Sequence, residues 1–348
     1  MRRALTYNDV NIIPKYSDIE HRDKINISTK LTKKTLIDIP IVTSPMDTIT
    51  EYNMALEMMQ LGGVGIVHRF MSIDEQVEII SELKQVREVN VEILKSTICA
   101  AVGVTGDYIE RAQELVSKGC NVIVIDVAHG HHKLVGEAIE EIKKIISEVE
   151  VIAGSVATAE ACEYLCEKGA DSIRVGIGNG SLCETRIRTG VGIPQVTALL
   201  DCVAIADTFG CPTIADGGIR NIGDVCKGLA CGADTIMLGS LLSGTKESPG
   251  EIEKVGKWPN EQLYKKYRGS ASLDSKKSRG DTKNVEGNHK IISYKGKVKR
   301  IVNDIRDGIR SSFSYVGAND ITEYHSKVEL IEVTRAGNIE GKPHLLNT

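Results

Sequence analysis

Aromatic side chains are scarce in this chain of 348 residues, at 4% with a single Trp. Surfaces that stack nucleic-acid bases depend on such rings, so their rarity weighs against a nucleic-acid binder. No block of like charges occurs and the formal net charge is only −4, which offers no electrostatic footing for nucleic acid or for a membrane surface. No apolar run approaches the ~20 residues a bilayer span needs. No signal peptide is expected, and the nine cysteines follow no regular spacing. A disulfide framework is thereby disfavoured, and a reducing, cytoplasmic compartment is expected. What remains is ordinary globular material, 41% hydrophobic and 26% charged. That length suits one large barrel or two domains.

The opening ALTYNDVNIIPKYS reads as an extended arm. Thereafter short apolar runs alternate with amphipathic stretches. Strands are expected at 40–44, 63–67, 98–103, 121–126, 150–154, 171–175, 212–216 and 234–238. Helical periodicity falls between them, near 51–61, 73–86, 106–118, 133–148, 158–168, 194–208 and 222–230. Continuous apolar runs of about five residues are what a sheet covered on both faces requires. Three strands share a lead-in, KGCNVIVI, KGADSIRV and CGADTIML, with Gly where a left-handed helix cap is expected. Eight strands and seven intervening helices predict an α/β fold, a (β/α)8 TIM barrel. A doubly wound sheet is the alternative, but open parallel sheets usually stop sooner.

Barrel chemistry sits at the C-terminal strand ends. Those ends carry SPMD (Ser44–Asp47), DVAHGHH (Asp126–His132), GSVAT (Gly154–Thr158), ADGG (Ala215–Gly218) and LGS (Leu238–Ser240). The chain is organised around residues 176–193, GIGNGSLCETRIRTGVGI. Its glycines let the backbone approach a ligand closely. Exposed N–H groups in such a loop suit an anion such as phosphate, and Cys183 sets a nucleophile beside it. ADGG and LGS follow the last two strands, where barrel enzymes usually hold a phosphate, and Asp216 can accept from ribose hydroxyls. His129, His131 and His132 lack the helical spacing of a zinc motif and read as a loop over a cofactor or a capped helix start. Cys162 and Cys166 on a predicted helix read as packing residues rather than a metal pair. Residues 260–300 are polar, glycine-dotted and lysine-rich, and read as a mobile flap, with a solvated hairpin as the plainer possibility. An amphipathic helix near 297–311 and a polar tail close the chain.

The sequence resembles the IMP dehydrogenase/GMP reductase family in motifs running nearly end to end. These are ALTYNDVNIIP, SPMDTIT, GGVGIVHR, GIGNGSLCETR, GVGIPQ, IADGGIR, IMLGSLLSGTKESPGE, YRGSASL and SYVGA. The resemblance implies a purine-nucleotide oxidoreductase, typically a homotetramer, that binds a purine 5′-monophosphate and a nicotinamide cofactor. It implies that Cys183 attacks C2 of the purine. The tandem CBS domain usual in the dehydrogenases falls between the second helix and the third strand. Here only about ten residues lie there, an ordinary connection. One domain over 1–348 is therefore expected, with a flap at about 269–292 and no CBS insertion.

Dehydrogenases oxidise IMP with NAD+ and usually carry an Arg-Tyr pair on the flap. Here the candidate is Arg279 followed by Gly280, so the tyrosine is missing. Reductases convert GMP and NADPH to IMP and ammonia and rely on a Thr–Glu pair, matched by Thr185 and Glu286. The Asp126–Ala128 and Arg188–Gly192 segments also look like the reductase, while ADGGIR, GTKESPGE, AHGH and YRGSASL look like the dehydrogenase. Asn179 and Glu184 depart from both patterns, which usually carry proline and threonine there. The preferred expectation is GMP reductase, with Cys183, Thr185 and Glu286 catalytic. An IMP dehydrogenase without the CBS domain is the alternative, and a non-catalytic nucleotide-binding regulator a third. For GMP or IMP the resemblance and the loops together imply Ser44, Met46, Ser181, Asp216, Gly218, Gly239, Ser240, Tyr267, Ser270 and Ala271. For the cofactor, NADPH with NADH or NAD+ possible, they imply Asp126, Val127, Ala128, Gly176 and Gly178. A monovalent cation, K+, is expected on carbonyls of Gly178, Gly180 and Cys183.

Overall fold

Eight short runs of small and β-branched residues form the strands of a closed, all-parallel barrel. They are β1 (Ile41–Thr43), β2 (Val64–Val67), β3 (Cys99–Val102), β4 (Val122–Asp126), β5 (Glu150–Val156), β6 (Ser172–Val175), β7 (Thr213–Asp216) and β8 (Thr235–Leu238). β8 pairs with β1 through Ile236↔Ile41 and Leu238↔Thr43, which closes the ring. The structure is a computed structural model and describes residues 1–256, 260–277, 283 and 285–343. The strand register is continuous except between Gly154 and Val156, where β5 shifts against β6.

Strand residues alternate between two cores, as period-two geometry requires. Val42, Val64, Ile66, Cys99, Ala101, Val122, Val124, Ile152, Ile214 and Met237 pack with Leu31 and Ile37 in one small apolar cluster. The intervening residues, such as Ile41, Val67, Ile123, Val151, Ile173, Val175 and Ile236, join the larger core with the helices. The barrel interior is therefore filled, and its chemistry is confined to the rim.

Helices α1 (Tyr52–Gln60), α2 (Ile73–Val89), α3 (Tyr108–Ser117), α4 (Lys133–Ile145) and α5 (Ala159–Glu167) follow the first five strands. After β6 come a one-turn helix, α6 (Thr185–Thr189), and α7 (Gln195–Ala206), and after β7 comes α8 (Ile222–Ala230). Local chemistry starts and stops them. Ser72 caps α2 in a reciprocal box: its hydroxyl accepts the Glu75 N–H at 3.2 Å and Glu75 accepts the Ser72 N–H at 2.8 Å. The lead-in glycines Gly119, Gly169 and Gly232 have φ of +110°, +96° and +92°, so they do end helices in a backbone that other residues resist. Between α2 and β3 there is only a short connection with one 3₁₀ turn at Val91–Ile93.

Three regions differ from the sequence reading. The stretch read as a flap or hairpin supplies two strands, β10 (Gln262–Arg268) and β11 (His289–Ser293), with α9 (Leu273–Lys277) between them, of a three-stranded antiparallel sheet completed by the preceding β9 (Glu253–Val255). The N-terminal arm, read as extended, pairs with the segment just before the polar tail: Val10–Ile12 runs antiparallel to Leu330–Glu332. The closing helix, α10 (Val298–Val316), outlasts its expected end at 311, because Phe313 and Val316 continue the buried stripe of Val302, Ile305 and Ile309. Among the described residues no helix is long and apolar enough to cross a membrane.

Candidate active site

A cavity of about 1080 Å³ opens at the C-terminal ends of the strands. It brings together Cys183, Thr185 and Glu286, the nucleotide set from Ser44 and Met46 through Ser270 and Ala271, and the cofactor set at Asp126–Ala128, Gly176 and Gly178. Gly180 lines it as well. Among the described residues, all those nominated for catalysis, nucleotide, cofactor or cation line it.

The nucleophile loop leaves β6 through Gly176, whose φ is +150°. A Cβ there would fall 1.9 Å from the Asp216 carbonyl, so the loop can pass β7 only as glycine. Cys183 is a free, half-buried thiol. Its Sγ donates to Thr185 Oγ1 at 3.2 Å, and the Thr185 hydroxyl donates to Glu286 Oε2 at 2.7 Å. Backbone pairing brings this carboxylate in from the flap. Glu184 N–H reaches Glu286 O at 2.8 Å, Asn288 N–H reaches Leu182 O at 3.0 Å, and Glu286 N–H reaches Ala271 O at 3.1 Å. Cys183, Thr185 two positions on and Glu286 a further 101 away thus form one continuous hydrogen-bonded chain from a sulfur to a carboxylate. Such a chain can move a proton away from the thiol or toward a group bound above it.

The two departures from the family pattern have partners. Asn179 bonds through its amide to Gln195 and to Arg186, tying the loop to the start of α7. Glu184 accepts from Arg188 Nε at 2.7 Å within α6 and from Asn288 Nδ2 at 3.3 Å across to the flap.

Elsewhere along the cavity wall, the Gly239 carbonyl accepts N–H groups of Leu242 at 3.0 Å and Ser243 at 2.9 Å. That turn leaves Ser240 and Leu241 at its open end, and Lys295 holds their carbonyls at 2.8 and 3.1 Å. The Ser181 and Tyr267 hydroxyls meet at 3.1 Å. Tyr267 is buried, which pushes its phenol pKa up; the Ser181 bond pulls the other way. One expected phosphate donor is engaged otherwise: Gly218 N–H already bonds Asn179 O at 2.9 Å. Gly218 therefore serves the loop's shape here, because the preceding turn folds back onto Asn179.

The cavity floor is charged. Asp126, Arg174 and Asp216 meet there with Ser155, and Arg69 approaches from β2 with its Nε 3.9 Å from Asp126 Oδ2. Burial raises the Asp216 carboxyl above its ordinary range, against the pull of Arg174. Sequence reading gave no role to Arg174 or Arg69, and placed Ser155 only within the GSVAT strand end. A signal existed for Arg174, a lone cation in the apolar run SIRV. It passed over Tyr7 too, which is buried beneath the Gly218 loop, 3.3 Å from where a Cβ of Gly218 would sit.

The histidine cluster behaves as a helix start: His132 Nδ1 accepts the Leu134 N–H at 3.1 Å at the head of α4. Cys162 and Cys166 are buried on α5 as packing residues. Among the described residues no group of three or more His, Cys, Asp or Glu is placed to hold a metal ion. Arg279 and Gly280 of the flap lie outside the described residues.

Residues 4–344 match the model of the IMP dehydrogenase / GMP reductase domain. The chain is 39% identical to the inosine-5′-monophosphate dehydrogenase of Cryptosporidium parvum, over 98% of this chain and 95% of that protein. It is 32% identical to that of Nitrosopumilus maritimus, over 99% and 98%. Among solved structures it resembles a cysteine-to-alanine variant of GMP reductase from Trypanosoma brucei in complex with guanosine 5′-monophosphate. The TM-score is 0.92 at 30% identity, covering 99% of this chain and 98% of that one. With the barrel, the cysteine loop and these relatives together, the chain belongs to the IMP dehydrogenase/GMP reductase family of purine-nucleotide oxidoreductases.

Proposed function

We propose that the protein is a GMP reductase, converting GMP to IMP and ammonia through a covalent bond between Cys183 and C2 of the purine. The observation that carries this reading is the chain Cys183–Thr185–Glu286, at 3.2 and 2.7 Å. As the sulfur adds to C2, its proton passes to Thr185 and on to Glu286. The relay then returns a proton to the exocyclic amino group, the C2–N bond breaks, and ammonia leaves behind a thioimidate. A reduced nicotinamide bound beside it, NADPH in this reading, would supply a hydride to C2. The C–S bond then breaks, IMP is released, and the sulfur departs as thiolate. Positioned proton transfer of this kind supplies about 10²–10⁴-fold in rate.

Binding roles follow from the same cavity. The turn at Gly239 and Ser240, with Ser181 and Tyr267, would take the 5′-phosphate, and Asp216 the ribose hydroxyls. Ser44 and Met46 would flank the base, and the backbone of Ser270 and Ala271 would read its edge. The floor beside β4 suits a cofactor: the Asp126 carboxylate can accept from a ribose or a carboxamide, with Val127, Ala128, Gly176 and Gly178 forming the walls. Carbonyls of Gly178, Gly180 and Cys183 are hard oxygen donors of the kind a monovalent cation takes. Three carbonyls underfill such an ion's shell, so a neighbouring copy's tail would complete it; K+ is the cation proposed, and no step is routed through it. The exposed apolar side chains Ile187 and Val191 beside the loop support assembly into a homotetramer. Nine free thiols fit a cytoplasmic setting.

The second reading is an IMP dehydrogenase, favoured by the names of the curated relatives, with Arg279 replacing the usual water activator. One spectrophotometric experiment separates the two. The reductase reading expects NADPH loss with GMP and no NADH formation from IMP and NAD+. The reverse pattern overturns it in favour of the dehydrogenase, and silence in both overturns both.

A further inference from the structure

Arg174 sits in a strand that is otherwise apolar or small, and the barrel builds a layer of charge around it. In β6, Ile173 and Val175 belong to the core shared with the helices, so Ser172 and Arg174 face the barrel axis. The same alternation places Asp126 two residues beyond Val124, and Asp216 two residues beyond Ile214, both of the barrel interior. Three charges from β4, β6 and β7 thus form the layer between the apolar filling and the cavity. Arg174 is only 5% exposed. Its Nη1 donates to Asp126 Oδ1 at 2.9 Å, its Nη2 to the Val127 carbonyl at 3.4 Å, and its Nε to Ser155 Oγ at 2.8 Å. Nε also lies 3.6 Å from Asp216 Oδ2. Buried charge is costly unless paired, and the planar fork of a guanidinium can serve two carboxylates at once.

We infer that Arg174 is a positioning residue that couples the two halves of the cavity, by fixing Asp216 on the nucleotide side and Asp126 on the cofactor side with one rigid group. The inference rests on the roles given to those two carboxylates under the proposed function. The guanidinium holds Asp126 directly, and Asp216 through the ion pair at Nε and the Ser155 hydroxyl, which takes the Nε proton and lies 3.5 Å from Asp216 Oδ2, so re-aiming either carboxylate disturbs the group that holds the other. A ligand on one side therefore orders the acceptor on the other before its own ligand arrives, and part of the ordering cost is already met. Coupling of this sort is reciprocal.

Calorimetric titration of the full chain tests it, with GMP as one ligand and NADP+ as the other, a pair between which no hydride can pass. In the wild type, saturating NADP+ tightens GMP binding by about fivefold or more, the lower end of ordinary coupling. In Arg174→Lys, which keeps the charge but loses the fork, the tightening falls to within about twofold of none. A purely structural role would weaken both ligands and leave the coupling factor standing. Should Arg174→Lys fail to fold, Asp126→Asn carries the test: it weakens GMP binding in the absence of any cofactor, although Asp126 lies on the far side of the floor. Uncoupled binding in the wild type, or coupling that survives in Arg174→Lys, overturns the inference, as does unchanged GMP affinity in Asp126→Asn. If the wild type binds neither GMP nor IMP, the functional reading itself is overturned and this inference with it.

Discussion

Among the described residues the hydroxyl of Thr185 is the relay between Cys183 and Glu286, so the carboxylate's proton matters at one step more than the other. Glu286→Gln should slow ammonia release by about 10²-fold or more, in the range expected for losing a positioned acid. Hydride transfer to the thioimidate should suffer far less. Single-turnover measurement of both partial reactions checks this, and equal loss in both would remove Glu286 from the relay. A second residue bears on stability. Asp234 is mostly buried at the start of β8, and burial raises its pKa from the ordinary 3.8 to about 6, against the Thr213 N–H that it accepts at 2.8 Å. Because the folded state holds this proton more tightly than the unfolded state, the group favours folding at low pH. That contribution is lost as pH rises through about 6. The displacement is worth on the order of 3 kcal/mol. Asp234→Asn keeps the acceptor oxygen and removes the charge, so its Tm should exceed the wild type's at pH 8, with the gap shrinking toward pH 5. A gap independent of pH would contradict the account.

At the scale of elements, the flap depends on how the SPMD segment grips it. Asp47, after β1, accepts from Arg268 Nη2 at 2.8 Å and Nε at 3.0 Å, at the end of β10, and from the Ser275 hydroxyl at 3.1 Å in α9. Asp47→Asn should raise the KM for the nucleotide about tenfold, while speeding hydrogen exchange in 269–277 and leaving the barrel strands protected. Unaltered exchange in that segment would show that the flap is held by something else. The barrel elements were legible because each strand is a short apolar run and each helix announces itself by periodicity and a cap. The flap sheet was not, and β10 shows why. Its inward positions are Lys265 and Tyr267, and the buried lysine breaks the apolar alternation that marks a strand. Lys265 is tolerated inside because its ammonium caps the carbonyls of Thr245 at 3.1 Å and Ser248 at 2.5 Å. The Val10–Ile12 and Leu330–Glu332 pair was equally hidden, since each half finds its partner more than 300 residues away.

For the molecule as a whole, the barrel does two things: its interior is filled with apolar side chains, and its rim gathers residues from the ends of seven strands, all but β3, into one cavity. The glycine-dense cysteine loop, the ADGG and LGS turns and Asp126 were readable from the chain, because each stands at a strand end that the alternation of elements defined. The charged floor was not, because Arg174, Asp126 and Asp216 lie on three different strands and become one layer only when the ring closes. All of the proposed chemistry passes through the sulfur of Cys183. The most direct test is acid quench of the protein during turnover with base-labelled GMP and NADPH, followed by peptide mapping. The account predicts purine label on the peptide that contains Cys183, and neither label nor turnover in Cys183→Ala. Turnover that persists in that variant, or label on any other peptide, would contradict it.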